Sequence, residues 1–297
     1  MNDTYLNSPM NEINYLGMKI LIKRDDLLSK EFSGNKARKL YYYLNENIKF
    51  TKIISYGSMQ SNNMLSLSYL AKLRKVDFIY YTNRSIEFIN KHKDTGNLKQ
   101  ALLNGMILKS IEEYEEMKLL VNLNKGITDN TLYIVEGGAQ EEAIEGLNNL
   151  ALELEEYIIL NNIKNPKIFL PSGTGSSALY LQKNFKYPVY TTPIVGTKEY
   201  LISEFNKLDK SIKQPIVLDT IKKYKYGKLY EENYTVIKNI KKETGLQFEY
   251  VYDSKGWITI EENLKEFENS TLIYIHCGGL LGNELMEERY KEKYLLD

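Results

Sequence analysis

Lys36 is the first residue whose surroundings suggest chemistry. In "FSGNKARKL" (Phe32 to Leu40) it follows a glycine turn and opens a stretch of helical character, with Asn35 able to cap. A lysine amine acts as nucleophile or base only after losing its proton, and the positive end of a helix dipole favours that loss. The dipole contributes about 0.3–1 kcal/mol, less than one pH unit, whereas a free amine at neutral pH needs a drop of roughly 3 units. Burial or a covalent bond must supply the rest; on position alone, Lys36 reads as a solvated cation.

Two polar loops could work with such a lysine. "PSGTGSSALYL" (Pro171 to Leu181) combines glycines and hydroxyls before a helix, so N–H groups, helix dipole and hydroxyls can converge on a phosphate, or simply form a tight capped turn. It lacks the lysine of an ATP-binding P-loop, and Ala178 stands where a dinucleotide fingerprint needs glycine. "YGSMQSNNML" sets Gln60, Ser61, Asn62 and Asn63 in a row, more polar groups than one cap requires. Cysteine and histidine chemistry has little to draw on. Cys277 is the single cysteine, His92 and His276 are the two histidines, and adjacent side chains on a strand point to opposite faces. No metal site is expected.

The positioning elements follow from hydrophobic patterning. Apolar runs of strand length alternate with amphipathic stretches, the pattern of mostly parallel sheets with flanking crossover helices. Expected strands are Met18–Lys23, Lys52–Ser58, Val76–Thr82, Thr131–Gly138, Lys167–Gly173, Pro188–Thr197 and Thr271–Gly279; expected helices include Asn63–Lys75, Ile111–Leu123 and Glu141–Leu160. In such sheets ligands bind at the carboxyl ends of strands, where "YGSMQSNN", "EGGAQ", "PSGTGSS" and "HCGGLLGN" fall. The 297 residues suffice for about two domains. Lys+Arg and Asp+Glu both number 39, so no net field favours nucleic acid or a membrane, and no apolar run spans a bilayer. "MNDTYLNSPM" lacks the pattern of a signal peptide, so the expected setting is the cytoplasm.

Taken in order, "IKRDDLLSKEFSGNKARKL", "YGSMQSNN", "IVEGGA", "PSGTGSS", "VYDSKGW" and "YIHCGGLLG" resemble the pyridoxal-phosphate enzymes of the 1-aminocyclopropane-1-carboxylate deaminase and D-cysteine desulfhydrase family. The resemblance implies a tryptophan synthase β-like fold: two intertwined, open, twisted and mostly parallel sheets, with residues 1–42 and 140–297 forming a larger cofactor-holding domain and 43–139 a smaller inserted one. It implies a homodimer whose partner is a small amino-acid substrate. By position, Lys36 takes the place of the lysine that holds the cofactor covalently, and Ser33 replaces that motif's first glycine. Asn62 matches the asparagine on the ring hydroxyl. Ser61 matches a serine beside the substrate carboxylate, and Asn63 replaces a glutamine or histidine there. Gly173, Thr174, Gly175, Ser176 and Ser177 match the phosphate loop, Tyr252 the tyrosine of "DPVY", and Tyr274 the tyrosine two places before histidine in the deaminases.

Two departures bear on the substrate. Deaminases carry glutamate after "VY" and leucine after the histidine, and desulfhydrases serine and threonine; here stand Asp253 and Cys277. These positions bear on the pyridine nitrogen, whose protonation sets how strongly the ring withdraws electrons. Each alternatively reads as a structural residue, Asp253 on a loop and Cys277 in packing. Asp25 and Asp26, beside Lys23 and Arg24, read as ion-pairing residues, and His276 as a loop-fixing one. The resulting expectation is D-cysteine desulfhydrase-like β-elimination giving a keto acid, ammonia and sulfide. The alternatives are cyclopropane ring opening to 2-oxobutyrate and ammonia, with Tyr274 or Tyr252 as acid or nucleophile near Ser61, and a non-catalytic cofactor-binding or interaction protein.

Overall fold

The structure is a computed structural model that describes residues 5–295 except 30, 33 and 212; Ser33 therefore lies outside the described residues. Its strands are β1 (Met10–Tyr15), β2 (Met18–Lys23), β3 (Lys52–Tyr56), β4 (Asp77–Tyr81), β5 (Ile107–Lys109), β6 (Gly126–Thr128), β7 (Thr131–Ile134), β8 (Pro166–Ser172), β9 (Val189–Pro193), β10 (Ile216–Val217) and β11 (Thr271–Ile275). Its α-helices are α1 (Asn35–Leu44), α2 (Asn62–Arg74), α3 (Ile86–His92), α4 (Gly96–Leu103), α5 (Tyr114–Leu123), α6 (Ala143–Leu160), α7 (Ser176–Lys183), α8 (Lys198–Leu208), α9 (Glu231–Thr244), α10 (Tyr252–Glu262) and α11 (Asn283–Tyr294).

The strands form a six-stranded sheet, β1-β2-β11-β8-β9-β10, and a five-stranded one, β5-β4-β3-β7-β6. Each is parallel except for one antiparallel edge, β1 in the first and β6 in the second. Period-two alternation divides the larger sheet into two cores. Ile273 and Ile275 pack with α6, α7 and α8, while Leu272 and Tyr274 face the other way, onto α9, α10 and α11. The smaller sheet is likewise covered on both sides. Ile53 packs with α1, α2 and α4, and Ile54 with residues of α5. All seven expected strands form, though the runs into the following loops stop early, at Tyr56 and Ile134 for instance.

Helix α1 joins the two sheets. Its Ala37, Leu40, Tyr43 and Leu44 enter the core beside the five-stranded sheet. On another face Arg38, fully buried, sits against α6, where Gly146 leaves no room for a side chain beside the Arg38 carbonyl. The guanidinium donates to both carboxylate oxygens of Asp25, at 3.2 and 2.8 Å, and to Glu153 at 2.5 and 2.8 Å. Lys23 lies 2.7 Å from Glu153, and Arg24 pairs with Asp26 at 2.7 Å. Burial opposes ionisation of Glu153, but hydrogen bonds and charge from Arg38 and Lys23 outweigh it and hold the carboxyl down at about 2. Asp25 and Asp26 are thus the ion-pairing residues they were expected to be. The network clamps the root of α1, so the helix presents Lys36 at a fixed place.

Candidate active site

Close approaches of backbone bring the six sequence fragments together. The turn before Lys36 runs against the segment after β11: the Asn35 N–H donates to the Cys277 carbonyl at 3.0 Å, and a β-carbon on Gly34, whose φ is +45°, would overlap that carbonyl. Only glycine combines this φ with so near a neighbour. Asn35 Nδ2 donates to Ser177 Oγ at 3.4 Å, tying the lysine turn to the start of α7. A β-carbon placed on Gly279 would lie 2.6 Å from Asn62 Nδ2; one on Gly137 would lie 2.9 Å from Thr174 Cγ2, and one on Gly173 3.0 Å from the Tyr252 hydroxyl. Segments from opposite ends of the chain, such as Asn35 and Cys277, therefore meet at one site.

Lys36 is half-buried, and its Nζ donates to Asn35 Oδ1 at 2.8 Å. Desolvation lowers its pKa, with the nearby Cys277 acting in the opposite sense. One turn on, Lys39 is a second buried cation, which sequence reasoning passed over. Its Nζ donates to the Gly137 carbonyl at 2.9 Å, and burial, then repulsion from Lys36, hold its pKa well below the ordinary lysine value. Among the described residues neither amine has a carboxylate partner, and at three residues apart on one helix face each disfavours charge on the other, so both would gain from an anionic ligand. The i+3 spacing in "NKARK" was the available signal.

The polar loops face these lysines. Ser61 caps α2, its Oγ accepting from the N–H groups of Asn63 at 3.1 Å and Met64 at 3.4 Å, and its hydroxyl lies within hydrogen-bond reach of the Tyr80 phenol. Asn62 Oδ1 accepts from Asn97 at 2.9 Å. Asn63 is 2% exposed, yet among the described residues neither its side-chain oxygen nor its nitrogen has a hydrogen-bond partner. Its oxygen points at the Gly138 backbone, 3.1 Å from where a β-carbon there would stand, and Lys39 is that carbon's next neighbour at 3.6 Å. Gln60, by contrast, is spent on structure, bonding Thr95 and Asn97. At α7, Gly175 adopts φ +81°, no side chain caps the helix, and the Thr174 and Ser176 hydroxyls lie 3.2 Å apart. The first N–H groups of α7, two hydroxyls and two lysines are suited to a phosphate-bearing group.

Behind the loops the polar residues bond one another. Tyr274 is fully enclosed, stacked on Trp257 at 4.4 Å, and its hydroxyl donates to Asp253 Oδ1 at 2.6 Å. Asp253 stands not on a loop but in the first turn of α10, where its other oxygen accepts from the Glu249 N–H at 2.9 Å. Both Asp253 oxygens thus already serve the protein, and burial raises its pKa. Tyr252, one residue earlier, leans over Gly173; burial first, then charge on Tyr226 and Glu249, keeps its phenol protonated. His276 donates from Nε2 to the Gln247 carbonyl and accepts the Gly278 N–H at Nδ1, which makes it the loop-fixing residue expected. Cys277 points to the opposite face, where burial and then Asp253 push its thiol up, leaving it neutral beside Lys36.

Glu249 was missed by sequence reasoning. It is buried, 3.3 Å from a β-carbon on Gly279, accepts the Tyr252 N–H at 2.5 Å, and has its pKa pushed up to about 8, chiefly by burial. It occupies the place of the aspartate in "DPVY", which was the clue.

No family model matches the chain. It is 25% identical to a putative 1-aminocyclopropane-1-carboxylate deaminase of Thermotoga maritima, the match covering 90% of each chain. To D-cysteine desulfhydrase of Serratia proteamaculans it is 21% identical, over 90% of this chain and 88% of that one. Over nine-tenths of its length the chain is thus similar to proteins named for the deaminase and desulfhydrase activities. A solved structure described as an ACC deaminase homologue aligns with a TM-score of 0.78 over 96% of this chain and 93% of that one, at 20% identity. The fold is accordingly of the tryptophan synthase β-like type that this family shares.

Proposed function

We propose that the protein is a cytoplasmic, homodimeric pyridoxal-phosphate enzyme that acts on a small amino acid by β-elimination, as D-cysteine desulfhydrase does. The observation that carries the reading is the pairing of two desolvated lysines, Lys36 and Lys39, with an uncapped helix start and an unpartnered buried amide in one cleft. These groups fit an aldehyde-bearing phosphate: Lys36 to hold it covalently, Gly173 to Ser177 and Lys39 to receive its phosphate, and Asn62 to face its ring. When bound, that cofactor supplies an electron sink for charge developing at the substrate α-carbon.

The chain's own residues then do the rest. Lys36, with its pKa lowered by desolvation, is the base positioned to take the α-proton. The start of α2, with Ser61 and the neighbouring Asn63, receives the substrate carboxylate. The neutral Cys277 thiol is a weak partner for a ring nitrogen, as a hydroxyl would be, whereas Asp253 has its oxygens engaged. For D-cysteine, loss of the α-proton and of the β-thiol, followed by addition of water, yields pyruvate, ammonia and hydrogen sulfide. Balanced charge and the lack, among the described residues, of a helix able to cross a membrane agree with a small-molecule role away from nucleic acid.

Ring opening of the cyclopropane amino acid is the second reading, favoured by the name of the Thermotoga relative and by Tyr252 above Gly173. It has less support here because the Tyr274 hydroxyl is enclosed and bonded to Asp253. Sulfide release from D-cysteine against 2-oxobutyrate release from the cyclopropane amino acid separates the two. A protein that takes up the cofactor and catalyses neither would be a binding protein on the same scaffold.

A further inference from the structure

Glu136 has no place in the chemistry above, yet it stands in the same cleft. It opens the turn after β7, the turn whose Gly137 carbonyl accepts from Lys39, whose Gly137 touches Thr174 and whose Gly138 faces the unpartnered Asn63 amide. A β-carbon on Gly57, at the end of β3, would lie 3.0 Å from Glu136 Oε1 and 2.7 Å from the Tyr80 hydroxyl, so carboxylate and phenol converge over that glycine. The side chain is open to solvent, and among the described residues Glu136 takes part in no ion pair. Its charge is felt by Tyr56, Tyr80 and Tyr114 on one side and by Tyr226 and Tyr252 on the other. The Tyr226 and Tyr252 rings lie 6.5 Å apart, edge to face. Desolvation raises the Glu136 pKa, and Lys118 offsets this only in part.

We propose that Glu136 is a specificity-determining residue, whose carboxylate, with the Tyr80 hydroxyl beside it, receives a positively charged group at the far end of the substrate amino acid's side chain. The inference rests on the amino-acid reading of the cleft and names the substrate class within it. A carboxylate attracts a cation through charge and repels an anion. Of two amino acids of similar size, one ending in ammonium is drawn in and one ending in carboxylate is kept out. The N-terminal N–H groups of α2 receive the opposite end of the ligand by its carboxylate.

The test is calorimetric binding of alanine, 2,3-diaminopropionate and aspartate, in both hands, to cofactor-loaded protein. Diaminopropionate should bind at least about tenfold more tightly than alanine, and aspartate more weakly than alanine. In Glu136→Gln the preference for diaminopropionate should shrink to about threefold or less, and Glu136→Lys should turn it towards aspartate. Retained cofactor absorbance and circular dichroism identify variants that remain folded. Equal affinity for alanine and diaminopropionate, or a preference that survives Glu136→Gln, overturns the inference while leaving the enzyme reading standing. Failure of every amino acid to bind either protein overturns both.

Discussion

Replacing Glu249 by glutamine should change how stability depends on pH. Burial, and then the charge of Asp253, lift this carboxyl from an ordinary 4.5 to about 8; the Tyr252 N–H works against the rise, and among the described residues Glu249 takes part in no ion pair. Below pH 4.5 the group is protonated in the folded and unfolded chains alike, and its full contribution to stability is present. Between 4.5 and about 8 the unfolded chain releases its proton while the folded chain keeps it, so stability is lost as pH rises; above 8 the folded protein carries the buried charge. At about 1.36 kcal/mol per pH unit the full gap corresponds to roughly 5 kcal/mol, and water entry and relaxation around the charge bring the expected difference to about 2–5 kcal/mol. Glutamine keeps an oxygen for the Tyr252 N–H and does not titrate. Urea unfolding of both proteins between pH 5 and 9 should therefore show the variant gaining on the parent throughout that window and levelling off above pH 8. Parallel profiles would refute the assignment of a buried, uncompensated carboxyl.

Three further outcomes follow from the geometry. Gly34→Ala must escape both a left-handed φ and overlap with the Cys277 carbonyl; it should cost at least about 2–4 kcal/mol by urea unfolding and impair cofactor retention more than Gly17→Ala, whose β-carbon meets nothing. Arg38→Met leaves Asp25 without a cation and Glu153 with Lys23 alone, and should destabilise by about 3–5 kcal/mol by urea unfolding, whereas Arg38→Lys, which keeps the charge, should cost less. Lys39→Gln should weaken equilibrium binding of pyridoxal phosphate by at least about tenfold, read by dialysis, while binding of phosphate-free pyridoxal changes by less than about threefold.

The parts legible in the sequence are those where one residue type permits one arrangement. Strands β3, β8 and β11 read clearly because burial on both faces leaves an unbroken apolar run. The strands missed are edges: β1 exposes Asn11, Glu12 and Asn14, and β5, β6 and β10 are two or three residues long. Helix α10 was hidden for the reverse reason, since Asp253 to Ile260 are all buried and no polar stripe marks a helical period. At the site, "SGNK" and "PSGTGSS" could be recognised because glycines, hydroxyls and a lysine in that order suit few structures. Glu136 could not, for its role depends on Gly57 and Tyr80, far from it in the chain; Glu249 left only its place before "VYDSKGW" as a sign, since the burial that sets its pKa comes from the fold. Tyr274 was legible as a position but not as a partner, because its bond to Asp253 spans 21 residues.

The central claim is that Lys36 holds a pyridoxal-phosphate cofactor through its side-chain nitrogen. Borohydride reduction of the reconstituted, yellow protein, followed by peptide mass analysis, tests it directly: the phosphopyridoxyl mass should sit on Lys36, and Lys36→Ala should stay colourless while its circular dichroism remains that of the parent. Label found on Lys39 instead, or a Lys36→Ala protein that still binds the cofactor covalently, would contradict the account.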